Sequence, residues 1–368
     1  MNFLFDVNHP AHVHCFKNAA KELQKKGHGV IFSARRRGEV FKLLEACGLE
    51  AFDNGAQAGS QLGKLAKMPF ATLRIAKEAI RRKTDLLISL GSMYAAQAAA
   101  LTCRPHLAFD DTEFSLLEQA LYLPFSSAVF TPEWFSRKLG RHHFRFYGMM
   151  ELCYLHPARF TPDPSVLPEL GIAPGERFAV LRFVAFNAIH DIGVRGVPME
   201  LKLQVLKRLS ETGRVFISSE AGLPPEFEPY RFKLRPERLH HAIAFSSLYM
   251  GDSGKTSSEA ACLGVPAIRC NSFAESKLER ANFIQLEKSG LLHNFNTSNA
   301  QAAVEMAVKL FNDPAAKTGA AAARMQFLSK VIDVSGLITW LAEEWPRSFH
   351  KFKASPDEVQ DMFRGVKK

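Results

Sequence analysis

Apolar residues in this chain fall into short continuous runs separated by stretches of helical periodicity, and the alternation starts at the first residues. Residues 2–7 form a short apolar run, Asn8-His9-Pro10-Ala11-His12 interrupts it, and Val13, Phe16, Ala20 and Leu23 then recur at helical spacing up to Gly27. Residues 29–34 form a second apolar run. The separation is too long for a hairpin and long enough for a parallel crossover, so the first unit reads strand, helix, strand. The pattern predicts further strands at 85–90, 106–111, 127–131 and 144–148, with helices such as 93–101 and 114–123 between them. A doubly wound parallel sheet accounts for this order.

Between residues 149 and 177 the pattern dissolves around Pro157, Pro162, Pro164, Pro168 and Pro174, which exclude a continuous helix or a central strand. A second alternating series follows: strand 178–184, helix 199–212, strand 214–219, a proline-bearing loop, and strands 247–251 and 266–270. The expected fold is therefore α/β, with two Rossmann-like domains facing across a cleft that holds the site. Residues 1–160 form the first, 175–335 the second, and 336–368 a C-terminal helix with a loosely held basic tail.

Composition narrows the class. With 368 residues, 47% hydrophobic and 23% charged, the chain is neither disordered nor fibrous. Six cysteines without CxxC spacing read as reduced core thiols, and Asp6 breaks the N-terminal apolar run before a signal peptide forms. The tract 86–103 contains Ser89, Gly91, Ser92 and Gln97 and divides into strand and helix, so no membrane span is expected. These features point to the cytoplasm. A net charge of +10 favours anionic partners: nucleotides, nucleic acid or an acidic membrane face. No nucleic-acid-binding module accompanies it, so nucleic acid is not an expected partner. Residues 64–83 interleave Lys64, Lys67, Arg74, Lys77, Arg81, Arg82 and Lys83 with Leu65, Met68, Phe70, Leu73, Ile75 and Ile80. Such a helix either rests peripherally on an anionic membrane or packs on the sheet with a solvated basic face.

Chemistry concentrates at predicted strand ends. In 248–268 a strand stops at Gly251, Asp252-Ser253-Gly254-Lys255 makes a small polar loop, and a helix begins near Thr256 and ends at Gly264. Free N–H groups at a helix start bind anions, Lys255 adds positive charge, and Glu259 is placed for sugar hydroxyls. The same spacing also describes a capped core helix. At the first strand end, His9, His12 and His14 cluster. His12 opens the helix and is the candidate general base, with helix capping as the bland alternative. No cysteine or carboxylate stands at accompanying metal-ligand spacing, so no metal is expected. Asp110, Asp111 and Glu113 follow another strand and serve either acid/base work or a helix start. Arg182 ends a strand and suits phosphate or a buried ion pair. His190-Asp191 lie in the loop after it, and Ser218, Ser219 and Glu220 end the next strand.

Asp252-Ser253-Gly254, Glu259-Ala260 and Leu263-Gly264-Val265-Pro266 resemble the nucleotide signature of the UDP-N-acetylglucosamine 2-epimerases and, more loosely, B-type glycosyltransferases. That resemblance implies that the Ser253-Gly254 backbone holds a diphosphate and Glu259 a ribose; Lys255 stands where the epimerases commonly carry a second glycine. The turn before Val13 is similar to the Gly-Gly-His-Val turn of lipid-linked glycosyltransferases, in which the histidine faces the acceptor. The epimerases also place acid/base carboxylates near Asp110 and Glu118. Their acidic residue after the preceding strand has no counterpart, because Gly91-Ser92 stands there, which counts against epimerisation. Taken with Asp110-Asp111-Thr112-Glu113, Leu181-Arg182-Phe183, His190-Asp191 and Phe216-Ile217-Ser218-Ser219-Glu220, the chain resembles a prokaryotic family, domain of unknown function 354, over about residues 1–296.

The expected function is a metal-independent, glycosyltransferase-like enzyme using a UDP-sugar substrate and no cofactor. Its acceptor is carbohydrate or lipid-linked. Arg182, Ser219, Glu220, Ser253, Gly254, Lys255, Thr256 and Glu259 hold the nucleotide-sugar, and Asn8, His9, Asp110 and Glu113 face the acceptor. His12 acts as base with Asp111 orienting it or replacing it. The alternatives are an epimerase or hydrolase of sugar nucleotides, and a nucleotide- or glycan-binding protein without turnover.

Overall fold

The computed structural model describes residues 1–36, 40–56, 61–183, 196–219, 222–275 and 280–365. The chain divides into two compact units, Met1–Arg159 with Lys330–Lys368, and Phe160–Ser329.

The first unit is built on a seven-stranded sheet of β1 (Asn2–Val7), β2 (Gly29–Arg36), β3 (Ala51–Ala56), β4 (Leu86–Leu90), β5 (His106–Phe109), β6 (Ala128–Pro132) and β7 (His143–Phe146). They lie in the order β3-β2-β1-β4-β5-β6-β7, every pair parallel. Phe3, Leu4, Phe5, Leu86, Leu87 and Ile88 are fully buried, which is why these strands read as unbroken apolar runs rather than alternating ones. The strand at 51–56 escapes sequence reasoning because Asp53-Asn54-Gly55 carries turn chemistry. It survives as an edge strand, which needs only one paired side.

The C-terminal segment corrects an expectation. It is no loose tail: the helix Val334–Glu343 packs on the helix Pro10–Lys25, and Arg159 joins Asp333 (2.5 Å) to Glu22 beside that contact. Helices Arg347–Ala354 and Pro356–Asp361 follow. Phe352 is buried edge-on against Phe130 and Phe144, at ring separations of 5.3 and 5.7 Å. Lysine-rich composition hid an amphipathic helix whose aromatic face completes the core.

The second unit carries β8 (Phe178–Arg182), β9 (Arg214–Ser218), β10 (Leu248–Gly251), β11 (Ala267–Cys270) and β12 (His293–Phe295). Their order is β12-β11-β10-β8-β9, again all parallel. β12, three residues long, is too short to show a period in sequence. Each sheet reverses its winding once, between β1 and β4 in the first unit and between β8 and β10 in the second. Open α/β sheets bind ligands beyond the strand ends at such switch points. Among the described residues no helix is long and apolar enough to cross a membrane.

Candidate active site

At the first switch point the chain leaves β1 at Val7 and enters the helix Pro10–Lys25. His9 caps that helix: its backbone is extended and its Nδ1 accepts the Ala11 N–H at 3.1 Å, with Pro10 at the first helical position. His9 is thereby exposed and stands apart from the cavity that opens beside it. That cavity, about 300 Å³, is lined by Asn8, His12, Ser92, Asp110, Asp111 and Glu118, with Arg35, Tyr94 and Tyr122 completing its wall. His12 Nδ1 faces the Asn8 N–H at 3.5 Å. Glu113, expected on the acceptor side, is buried outside this lining, and its carbonyl accepts from Arg137.

Asp110 is the most perturbed acid on the cavity. It follows β5, and its Oδ2 accepts the Tyr122 hydroxyl at 2.6 Å and Gln119 Nε2 at 3.0 Å, while Oδ1 accepts the Thr112 N–H at 2.9 Å. Burial pushes its pKa up to about 6 against those three hydrogen bonds, and neighbouring Asp111 adds a smaller upward push. Asp111 itself is half-buried and accepts from Thr112 Oγ1 at 3.1 Å. A carboxyl balanced near neutrality in a cavity is the arrangement that acid/base work requires.

Beneath the cavity lies a carboxylate that sequence reasoning used only to exclude a signal peptide. Asp6 is fully buried at the end of β1 and accepts from Ser92 Oγ at 2.5 Å, Asn8 Nδ2 at 3.1 Å and Asn54 Nδ2 at 3.4 Å. Ser92 in turn caps the helix Met93–Leu101, accepting the Ala95 N–H at 3.2 Å. Burial raises the Asp6 pKa, with hydrogen bonds and the charge of Arg35 opposing it. Arg35, at the end of β2, is buried and stacks 3.8 Å above the Tyr94 ring. The available signal was a charge inside or at the end of an otherwise apolar strand.

In the second unit β10 ends at Gly251, where a Cβ would overlap the Arg182 carbonyl oxygen, so β8 and β10 approach only because this residue is glycine. Ser253 caps the helix Gly254–Cys262, its Oγ accepting the Thr256 N–H at 3.4 Å. The helix thus starts two residues before the expected Thr256, and Thr256 is buried within its first turn. A Cβ on Gly254 would come 3.0 Å from the Phe283 ring and 3.5 Å from Arg280 Nη2. The Phe283 ring has Arg269 3.7 Å from its centre and Arg280 5.0 Å from it. With Lys255 these cations gather around the helix start. Glu259 is buried and stands 3.2 Å from His240 Nε2. Arg182 ends β8 and donates from Nη1 to Ser218 Oγ at 2.5 Å; Ser219 follows β9, half-buried. Buried Lys202, absent from sequence reasoning, sits 4.0 Å from Asp252 Oδ2 and over the Phe183 ring, and burial pulls its pKa down. Val184, His190, Asp191 and Glu220 lie outside the described residues, as do the side chains of Lys64 and Leu65.

A family model described as protein of unknown function, DUF354, matches residues 1–322. The chain belongs to this family. By fold, the DUF354 chain is similar to a UDP-GlcNAc 2-epimerase from Neisseria meningitidis bound to UDP-GlcNAc. The TM-score is 0.65 at 12% identity, covering 95% of this chain and 100% of that one. It is also similar to MurG of Acinetobacter baumannii, at TM-score 0.58, 15% identity and coverage of 94% and 100%. The glycosyltransferase VinC in complex with dTDP matches at TM-score 0.61, 12% identity and coverage of 95% and 100%. Among curated proteins none matches the DUF354 chain by sequence. Two parallel-sheet α/β domains of the type shared by B-type glycosyltransferases and these epimerases are therefore its fold.

Proposed function

We propose that this chain is a glycosyltransferase-like enzyme that takes a UDP-sugar donor through its second unit and does acid/base chemistry in the first-unit cavity. The observation that carries the reading is the Ser253-capped helix start at the β8/β10 switch point, with Lys255 in its first turn and Arg280 beside Gly254. Fixed N–H dipoles and cations there stabilise the charge that develops on a departing diphosphate, which is the task a metal performs in other transferases. Asp110 is assigned the acceptor's proton, because a carboxylate with pKa about 6 is ionised at neutral pH yet more basic than an ordinary one. His12 shares the cavity wall and is the competing base; Asp111 orients. The acceptor is carbohydrate or lipid-linked, and no cofactor is called for.

The test is a thermal-shift series with UDP, UDP-N-acetylglucosamine, UDP-glucose, GDP and dTDP, in the presence of a chelator, with Gly254→Arg as the control that fills the helix start. A ligand bound at 100 times its Kd stabilises by about 2.7 kcal/mol. Stabilisation of the parent alone supports the reading; no shift with any nucleotide sinks it and leaves a glycan-binding protein.

A second reading, epimerisation or hydrolysis of a sugar nucleotide, is favoured by one observation: Asp110 and Glu118 line the same cavity, offering two carboxyl groups for proton removal and return. Solvent deuterium entering C2 of the sugar distinguishes it from transfer.

A further inference from the structure

The helix Gln61–Arg81 is apolar on two faces. Its inner face, Ala71, Ile75, Ala76 and Ala79, is buried in the first-unit core with Leu4, Ile31 and Leu87, as a helix on a sheet requires. Its outer face carries Phe70, Leu73 and Ile80, which are 70%, 59% and 65% exposed. Spacings of three and seven residues align them in one stripe. Alongside run Lys67, Arg74, Lys77 and Arg81, all exposed. Glu78, the one acid among residues 67–81, is taken up by Arg81 at 2.6 Å and Arg82 at 3.3 Å.

The neighbouring helices add exposed apolar residues of their own. Gln97 Nε2 donates to Met68 Sδ at 3.5 Å and to the Leu121 carbonyl at 3.4 Å, fastening the helices Gln61–Arg81, Met93–Leu101 and Leu116–Tyr122 into one layer. Leu101, Leu116 and Leu117 are exposed on it. Of the fifteen large apolar side chains exposed among the described residues, eight fall between residues 70 and 125. Single exposed apolar residues are ordinary, but a concentration with a cationic rim marks a docking surface.

The geometry points to an anionic phospholipid bilayer as the partner of this layer. Apolar side chains enter the boundary between headgroups and acyl chains while the flanking Lys and Arg meet lipid phosphates. A second copy of the chain is the poorer occupant, because a two-fold contact would set the same four cations against each other. The helix Leu116–Tyr122 turns Leu116 and Leu117 outward and carries Glu118 and Tyr122 on the cavity wall, so the docking surface adjoins that cavity. The inference concerns this surface and stands whether or not the nucleotide reading holds.

The test is flotation of the full chain with vesicles of phosphatidylcholine alone and of phosphatidylcholine mixed with phosphatidylglycerol, at low and high salt. The chain is expected to float with the anionic vesicles and to be released by salt. Replacing both Lys67→Gln and Lys77→Gln weakens partitioning about 30-fold, from ~1 kcal/mol per cation near the surface. The triple change Phe70→Ser, Leu73→Ser and Ile80→Ser abolishes flotation while the melting temperature and any nucleotide-induced shift stay those of the parent. A parent that fails to float with either vesicle, or a triple variant that floats like the parent, overturns the proposal. So does a parent dimer in sedimentation velocity that the same triple change dissolves, since the face then belongs to a second copy.

Discussion

His106 opens β5 and Asp110 follows its last residue, and the two titrate in opposite senses. Burial raises Asp110 to about 6, so between its unfolded value near 4 and pH 6 the folded chain binds the extra proton and stability falls as pH rises. Burial lowers His106 to about 3, where its ring bonds Ser89 and Ser126 hydroxyls at 2.9 Å each. There the unfolded chain binds the extra proton below its own pKa near 6.5, so stability rises with pH. The parent's pH profile therefore mixes two opposing slopes, and only the difference from Asp110→Asn isolates the acid. Urea titrations at pH 4 and 7 are expected to show the parent losing about 2 kcal/mol relative to that variant, from roughly two units of raised pKa not yet fully expressed at pH 4. In activity, the parent's rate is expected to rise through a limb near pH 6 that Asp110→Asn removes and His12→Gln retains. A limb that vanishes with His12→Gln instead returns the base to the histidine. Asp110 was visible in the sequence as a carboxylate after a strand. Its perturbation was not, because the burial that raises it comes only when the next helix folds back and sets Tyr122 and Gln119 against it.

A helix start stands at the candidate site of each unit, and both were partly legible. Ser253 before a helical run, with a glycine at its far end, signals a capped helix, and the structure has it. Ser253→Ala is expected to cost about 1 kcal/mol in denaturant unfolding, the usual worth of a cap. Nucleotide binding should suffer beyond that loss, as a thermal shift smaller than the parent's at equal ligand. The other helix start was legible in His12 and not in His9. Three histidines at the end of β1 look alike in sequence, but an extended backbone at residue 9 makes one a cap and a single turn carries His12 onto the cavity. At the element scale, then, residue type and spacing locate a helix start, while backbone geometry assigns each side chain its job.

Across the whole molecule the C-terminal segment ties itself to the first unit, and Phe352 is the measure of it. Phe352→Ala is expected to cost about 3–5 kcal/mol, the range for deleting a buried phenylalanine, read as a lowered denaturation midpoint. A loss under about 1 kcal/mol means the helix is peripheral. The layer bearing Phe70, Leu73 and Ile80 belongs to the same scale, since Gln97 joins its three helices side by side.

Local sequence determined most of the strands, the α/β class, the proline-rich break and the glycine- and serine-bearing loop after β10, because each rests on periodicity or on one residue's backbone and capping preferences. Tertiary structure alone decided that Asp6 supports Ser92 and Asn54, that Arg280 and Phe283 flank Gly254, that Glu259 meets His240, and that a lysine-rich tail closes a core. The reason is distance along the chain. These pairs are brought together by parallel crossovers and by burial, and burial rather than residue type sets how strongly a carboxyl or imidazole departs from its ordinary pKa.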